Sequence, residues 1–583
     1  MPELTSIYYI SEPVEKIEQL LKEERDSQSN MKSLVFAVGM ETSINPLTSG
    51  QWDTIPAKGY VWRLGIKAEN ALSLNILVEN YLMQPEMTLY VYDQTKENTA
   101  GPFDSKNNSN GGVLPVQSLP GNMIIVEWNI PMQASPTNSF TISSIGYGFR
   151  DMRKIISLAS AACNIDVNCI TGNRWQREKR SVVLMQTILQ SGRTQYCSGT
   201  LINQAVNANR KKPYILTANH CIATLQEAQR TTFFFGYEKD YCDGVAPERM
   251  PGITGSSLVA TKRELDFSLL EMSSISNEHR PFYAGWTISN VAPQEVVGIH
   301  HPQGDVKKIS VANSAVTSGT FNDPNSNLFC DRDAHWIVRR WNEGVTENGS
   351  SGSPIFDAEH KIVGLLSGGS ANCSNPINDF YSKFYEQWNK YRNENESLRP
   401  WLDPENRGVT SVWGYDPVST FEGRYNFTGN IGDNEAETIN KSGLWGYLTS
   451  RNDRNWTSFA EKIINDSIAN IIGVEANIAK ISEPGVTVRF AVWSGTELPA
   501  TLLEWKDVTV TADYKDHPIR VYFDSMVAVE GDFFIGYSLE NTSLLDTFAL
   551  YHSTIRPYPG IAGMYVEEID GRWTNLEDYS IYA

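Results

Sequence analysis

Cysteine placement is the strongest constraint in this sequence. Six of the seven cysteines fall between Cys163 and Cys330 and the seventh is Cys373, so the regions before and after carry none. A disulfide-stapled middle between unstapled flanks follows, and clustering of this kind belongs to an oxidising compartment. The first residues, Met1-Pro2-Glu3-Leu4-Thr5, lack the basic start and apolar centre of a secretory signal. The expectation is an exported chain, secreted, at the cell surface or periplasmic, whose signal segment lies outside this sequence.

With 583 residues the chain has room for three or four domains. At 41% hydrophobic and 11% aromatic residues it can bury several cores, which excludes wholesale disorder, a collagen repeat and a coiled coil. The 49 Lys and Arg against 68 Asp and Glu give a formal charge of −19, which repels phosphate backbones and anionic lipid. Nucleic acid and membrane are therefore not expected partners. No apolar run approaches the length of a spanning helix. Oligomeric state is left open.

Strand signals dominate. In the run from Gly59, Trp62, Leu64 and Ile66 alternate with Val61, Arg63, Gly65 and Lys67, and Met87 to Tyr92 forms a second such run. Val14 to Asp26 has helical spacing, and Lys96 to Gly112 reads as a long polar loop. The predicted organisation is all-β: a β-sandwich over 1–154, a cysteine-bearing body over 155–408 and a jelly-roll-like β-sandwich over 409–583. The body ends in a helix near Tyr385 to Tyr391. The clearest strands of the last domain are Val486 to Trp493 and Phe533 to Tyr537. Its tryptophans, Trp445, Trp456 and Trp493, offer a sugar platform only if exposed, and tryptophans in sandwiches more often fill cores.

The chemistry lies in the body. The run Tyr214-Ile215-Leu216-Thr217-Ala218-Asn219-His220-Cys221 is an apolar strand ending at a histidine beside a cysteine. Cys197, 24 residues upstream, can bridge back to Cys221 and pin that turn. A general base needs such fixing, because proton transfer demands heavy-atom distances of about 2.6–3.2 Å. Downstream, Gly349-Ser350-Ser351-Gly352-Ser353-Pro354 sets a serine among glycines whose backbone N–H groups can face a substrate carbonyl. Asp266, interrupting the apolar start Leu265-Asp266-Phe267, is costly to bury without an imidazole partner. Each residue alone has a commonplace structural reading. Their joint order, His220, Asp266, Ser351, inside the cysteine-bearing region, points to a nucleophilic triad.

The blocks Cys197-Ser198-Gly199-Thr200-Leu201-Ile202, Thr217-Ala218-Asn219-His220-Cys221 and Gly349 to Pro354 resemble those of trypsin-like serine endopeptidases. A narrower resemblance is to bacterial lysyl endopeptidases. It rests on Cys163-Asn164-Ile165-Asp166-Val167-Asn168-Cys169, Ile299-His300-His301-Pro302, Gly344-Val345-Thr346-Glu347 and Trp401-Leu402-Asp403. It covers roughly Cys163 to Asp403, and the opening sandwich resembles that family's pro-region. The resemblance implies a chymotrypsin-like double β-barrel, a zymogen with its pro-domain in cis, and an oxyanion hole from Gly349 and Ser351. It also implies pairing of Cys163 with Cys373, Cys169 with Cys242 and Cys197 with Cys221, leaving Cys330 over.

The position six residues before the serine, where trypsin carries its pocket aspartate, is Val345. The resemblance directs attention instead to Asp379, beyond Ser367-Gly368-Gly369, as the floor of a slot for a lysine or arginine side chain. The plainer use of Asp379 is to cap the following helix. Ser367 stands where familiar members carry histidine. His300-His301 is read as structural, Asp433-Asn434-Glu435 lacks a recognisable calcium loop, and no cofactor or metal is expected. Arg153-Lys154 is a candidate self-cleavage site. Two functional readings result: an endopeptidase acting on proteins or peptides after basic residues, or an inactive protease-like scaffold whose sandwiches bind glycans or proteins.

Overall fold

The computed structural model describes residues 3–27, 29–134, 140–150, 160–247, 251–417, 437–438, 446–463, 468–482, 485–515, 518–539, 546–553 and 564–579. Arg153-Lys154, Asp433-Asn434-Glu435 and Trp445 lie outside the described residues. The chain divides into two compact units. The larger holds Met1–Val167, Trp175–Asp240 and Val245–Ser419, and the smaller holds Asn168–Arg174, Tyr241–Gly244 and Thr420–Ala583.

In the larger unit a short strand, Ile7–Ile10, is followed by helix α1 (Val14–Ser27), whose Leu20 is buried in the core of a β-sandwich. One sheet of the sandwich contains β2 (Gly59–Ala68) and β4 (Met123–Pro131), paired antiparallel with Trp62 opposite Trp128. The other contains β1 (Leu34–Ile44), β3 (Ser73–Glu79) and β5 (Thr141–Gly148). The alternating set Trp62, Leu64 and Ile66 meets Ile76, Val78, Ile142 and Ile145 in the core. The opposite face of β2 is covered too: Arg63 is buried with Asp53 at 2.6 Å, so its strict in-and-out reading does not apply. The polar stretch 96–112 is not one loop. It contains a strand, Thr99–Phe103, and a 3-10 turn, Ser105–Asn110. Asp104 and Asn107 close a reciprocal capping box there, supplying the partners that a polar composition conceals.

The body consists of two antiparallel barrels. In the first, β6 (Val182–Ile188), β7 (Thr194–Ile202), β8 (Tyr214–Thr217) and β9 (Phe267–Met272) pair with Thr231–Phe234 at one end and Ser256–Lys262 at the other. The run Ile253–Lys262 joins those ends: Ile253 pairs with Phe233 and, past the bend at Gly255, Lys262 pairs with Phe267. The second barrel is ordered through Lys308–Ala312, β10 (Val296–His300), β11 (Pro354–Phe356), β12 (Lys361–Gly369), β13 (Ile377–Lys383) and the strand His335–Arg340. It is brought round by a bridge between Val311 and Glu343. This is the chymotrypsin-like architecture, followed by helix α2 (Phe384–Asn389). The sandwich and first barrel share one sheet, because β1 pairs antiparallel with β7 through Leu34 and Tyr196, Val35 and Gln195, and Ala37 and Thr194.

The smaller unit is also built of sheets. Strands β14 (Ser458–Ile463), β15 (Val486–Ser494) and β16 (Phe533–Ser538) lie side by side, with Phe490 opposite Tyr537. Phe459, Val488, Phe490 and Tyr537 share a core with Val521, Phe523 and Phe548. Trp456 is fully buried in that core, and Trp493 packs edge-on against Trp573 at 5.4 Å.

Candidate active site

The first barrel contributes two of the three expected residues. His220 follows the end of β8 in a turn tied down by the Cys197–Cys221 disulfide. Asp266 stands immediately before β9 in the left-handed region, φ 43° and ψ 52°, fully buried. Its carboxylate lies 3.0 Å from His220 Nδ1 through either oxygen, and Oδ1 also accepts the His220 backbone N–H at 3.1 Å. Two bonds to one side chain fix both the ring's orientation and its tautomer. The second barrel brings Ser351, whose Oγ is 2.7 Å from His220 Nε2. An alcohol held this way can lose its proton to the imidazole as it attacks a carbonyl.

The serine's turn is anchored from below. Gly349 adopts φ +97°, and a Cβ there would come within 2.7 Å of Gly304 N and His301 O, so only glycine fits. Ser198 donates its backbone N–H to Ser351 O at 2.8 Å and its hydroxyl to Gly349 O at 3.0 Å. His300 bridges Ser350 Oγ at 2.9 Å and Ser310 Oγ at 3.0 Å, while His301 Nδ1 lies 2.9 Å from Asp305 O. Burial first, then the Lys32 and Lys308 cations, push the His300 imidazole down to about 3. Both histidines are neutral struts beneath the nucleophile turn.

Asp379 does not cap a helix. It lies within β13, and Lys383 precedes α2. Its fully buried carboxylate accepts from Trp341 Nε1 at 2.8 Å and Thr346 Oγ1 at 2.6 Å through Oδ2. Oδ1 receives the ammonium of Lys32 at 2.8 Å. That ammonium also donates to Thr346 O at 2.9 Å, Thr346 Oγ1 at 2.5 Å and Ala371 O at 3.1 Å. The lysine thus fills a slot whose floor is Asp379. Removing either partner would leave the other charge buried alone, at a cost of about 3–5 kcal/mol.

The main chain of Lys32 is held as well. Its carbonyl oxygen accepts from Gly349 N at 2.5 Å and Ser351 N at 3.2 Å, and its own N–H donates to Ser351 Oγ at 3.0 Å. Met31 forms an antiparallel bridge with Gly368, and Asn30 O accepts from Gly369 N at 2.9 Å. A Cβ at Gly368 would approach Asn30 O to 2.2 Å, so the strand end must stay bare for this contact. Ser367 turns its hydroxyl away to His335 Nε2, 3.0 Å distant.

Disulfides join Cys163 to Cys373, Cys169 to Cys242 and Cys197 to Cys221, and Cys330 is free. Burial and the nearby Asp266 carboxylate keep the Cys330 thiol protonated. Sequence reasoning missed Lys32, Trp341, Thr346 and Ser198 as site residues. Only Ser198 and Thr346 stood inside quoted blocks; Lys32 sits in Asn30-Met31-Lys32-Ser33, a run with no distinguishing pattern.

A serine bonded to a buried histidine–aspartate pair, set between two barrels with two N–H groups in front of it, defines a serine protease of the trypsin-like class. Within that class the chain resembles lysyl endopeptidase: residues 158–382 match the family model for the lysyl endopeptidase C-terminal domain. Lysyl endopeptidase of Pseudomonas aeruginosa is 27% identical over 397 residues, covering 61% of this chain and 81% of that protein. Among solved structures, the active form of the Rv3671c protease from M. tuberculosis is 15% identical, covering 37% of this chain and 80% of that one, with a TM-score of 0.27. Protease Anisep from Arthrobacter nicotinovorans is 16% identical over 38% of this chain and 93% of that one, with a TM-score of 0.26.

Proposed function

We propose that the protein is an exported serine endopeptidase, made as a zymogen, that hydrolyses peptide bonds on the carboxyl side of lysine. The observation that carries this reading is the lysine side chain seated on Asp379 while its carbonyl oxygen faces Gly349 N and Ser351 N. Four acceptors, Asp379 Oδ1, Thr346 O, Thr346 Oγ1 and Ala371 O, converge on one nitrogen. A compact ammonium with three donors suits that cluster better than a planar guanidinium, so lysine is preferred and arginine admitted more slowly. Three disulfides and the likeness to lysyl endopeptidase support an extracellular or periplasmic setting.

The roles follow from position. Ser351 Oγ attacks the scissile carbonyl and passes its proton to His220 Nε2; Asp266 stabilises the resulting imidazolium. Gly349 and Ser351 N–H groups receive the oxyanion, each donor being worth about 2.7–4 kcal/mol in comparable sites. His220 then protonates the departing amine, and water releases the acyl group by the reverse sequence. The sandwich over 1–154 acts as a pro-domain in cis, and the last domain is accessory. The test is hydrolysis of lysyl and arginyl amides, with labelling by a serine-directed phosphonate, after limited proteolysis of the sandwich. Activity with lysine above arginine is expected, and Ser351→Ala should abolish both hydrolysis and labelling. A processed wild-type chain that takes no label would overturn the reading.

A further inference from the structure

We infer that the Lys32–Ser33 peptide bond is a substrate of the enzyme's own active site, cut in cis. The inference rests on the proposed endopeptidase activity and adds a processing site to it. Three groups of contacts, made by different atoms, converge on this bond. On the amino side, Asn30 and Met31 run antiparallel to Gly368 and Gly369. At the bond itself, the Lys32 side chain fills the Asp379 slot and its carbonyl oxygen points at both oxyanion-hole donors. On the carboxyl side, Leu34 begins β1, which pairs with Thr194–Tyr196 of the first barrel. A segment that merely covered the serine would need none of this agreement. Extended main chain gripped on both sides of a nucleophile, with the reacting carbonyl polarised, is the geometry of a bound substrate.

The chemistry balances with water as the co-reactant. Ser351 Oγ adds to the Lys32 carbonyl carbon while His220 takes the hydroxyl proton. The carbon–nitrogen bond breaks, that proton goes to the Ser33 nitrogen, and Lys32 is left as an ester on Ser351. Water then adds, giving up one proton to His220. Collapse breaks the ester and returns that proton to Ser351 Oγ, leaving a Lys32 carboxyl group whose remaining proton passes to the Ser33 amine, so the ends become a carboxylate and an ammonium. Neither new end is released by the cut alone. Lys32 stays bound to Asp379, and the strand after Ser33 remains paired with both Thr194–Tyr196 and β5. The cut chain therefore continues to block its own site until the sandwich departs.

The test uses the full chain, freshly purified and incubated at neutral pH, with its amino termini sequenced over time. A new terminus Ser33-Leu34-Val35 is expected in the wild type and not in Ser351→Ala. The fraction of chains cut per unit time should be unchanged across a hundredfold dilution, because the segment acts on its own chain. Lys32→Gln should not be cut at this bond and should take the phosphonate at least tenfold faster than uncut wild type. The wild-type comparison decides the question even where that variant folds poorly. A chain that hydrolyses lysyl amides after processing elsewhere, yet keeps residues 32 and 33 joined, overturns the inference and leaves the protease reading standing. A half-time of cutting that shortens in proportion to concentration also overturns it. A chain inert towards amides and phosphonate alike brings down both.

Discussion

Asp379 combines two demands in one carboxylate: it must be buried to form a slot floor, and it must remain charged to hold an ammonium. Trp341 and Thr346 reconcile these by donating to Oδ2, leaving Oδ1 for the Lys32 ammonium. Asp379→Asn should lower kcat/KM for lysyl substrates by roughly 10²–10³, the equivalent of about 3–4 kcal/mol, while phosphonate labelling of Ser351 is retained. Parallel lysyl-amide kinetics and labelling rates on the processed enzyme check this. His300 and His335 govern a separate property. Burial holds them at about 3 and about 4; for His335, Asp266 opposes that shift and Lys383 and Lys390 reinforce it. The unfolded chain, with histidines near 6.5, binds more protons below that pH than the folded one. Their stabilisation is therefore complete above about 6.5 and is lost as pH falls towards 4 and then 3. Urea midpoints for Ser351→Ala, which cannot digest itself, should fall between pH 7 and 5, each group contributing at most about 1.4 kcal/mol per pH unit.

At the scale of elements, the β8 turn shows how local chain chemistry becomes geometry. Its apolar strand is pinned by a disulfide spanning 24 residues, which in a loop-entropy account stabilises by about 3 kcal/mol. The double replacement Cys197→Ser, Cys221→Ser should lower stability by about that amount in denaturant titration. It should also lower kcat more than it raises KM, because His220 loses its anchor while the Asp379 slot is untouched. This region was legible in the sequence because its signals are local: an apolar run, a histidine, neighbouring cysteines. The strands around Trp62 and Phe490 were legible for the same reason, through their period of two. Pairings between distant segments left no such trace. Nothing within Leu34–Ile44 announces that its first residues join Tyr196, and nothing near Lys32 announces an aspartate far along the chain. The capping box at Asp104 was hidden for a different reason: its polar residues satisfy one another, so a loop-like composition encodes a structured turn.

At the scale of the molecule, the sandwich is continuous with the catalytic body through a shared sheet, whereas residues 420–583 fall into the second compact unit with its own core. The segment 30–37 uses two strand edges at once, Gly368–Gly369 on one side of Ser351 and Thr194–Tyr196 on the other. Once vacated, those edges present unmet main-chain donors and acceptors, and they can accept only a guest that arrives as a stretched ribbon several residues long. Tightly folded proteins keep few such ribbons free. Digestion of an intact target would then be paced by how often that target frays open, not by how many lysines it displays.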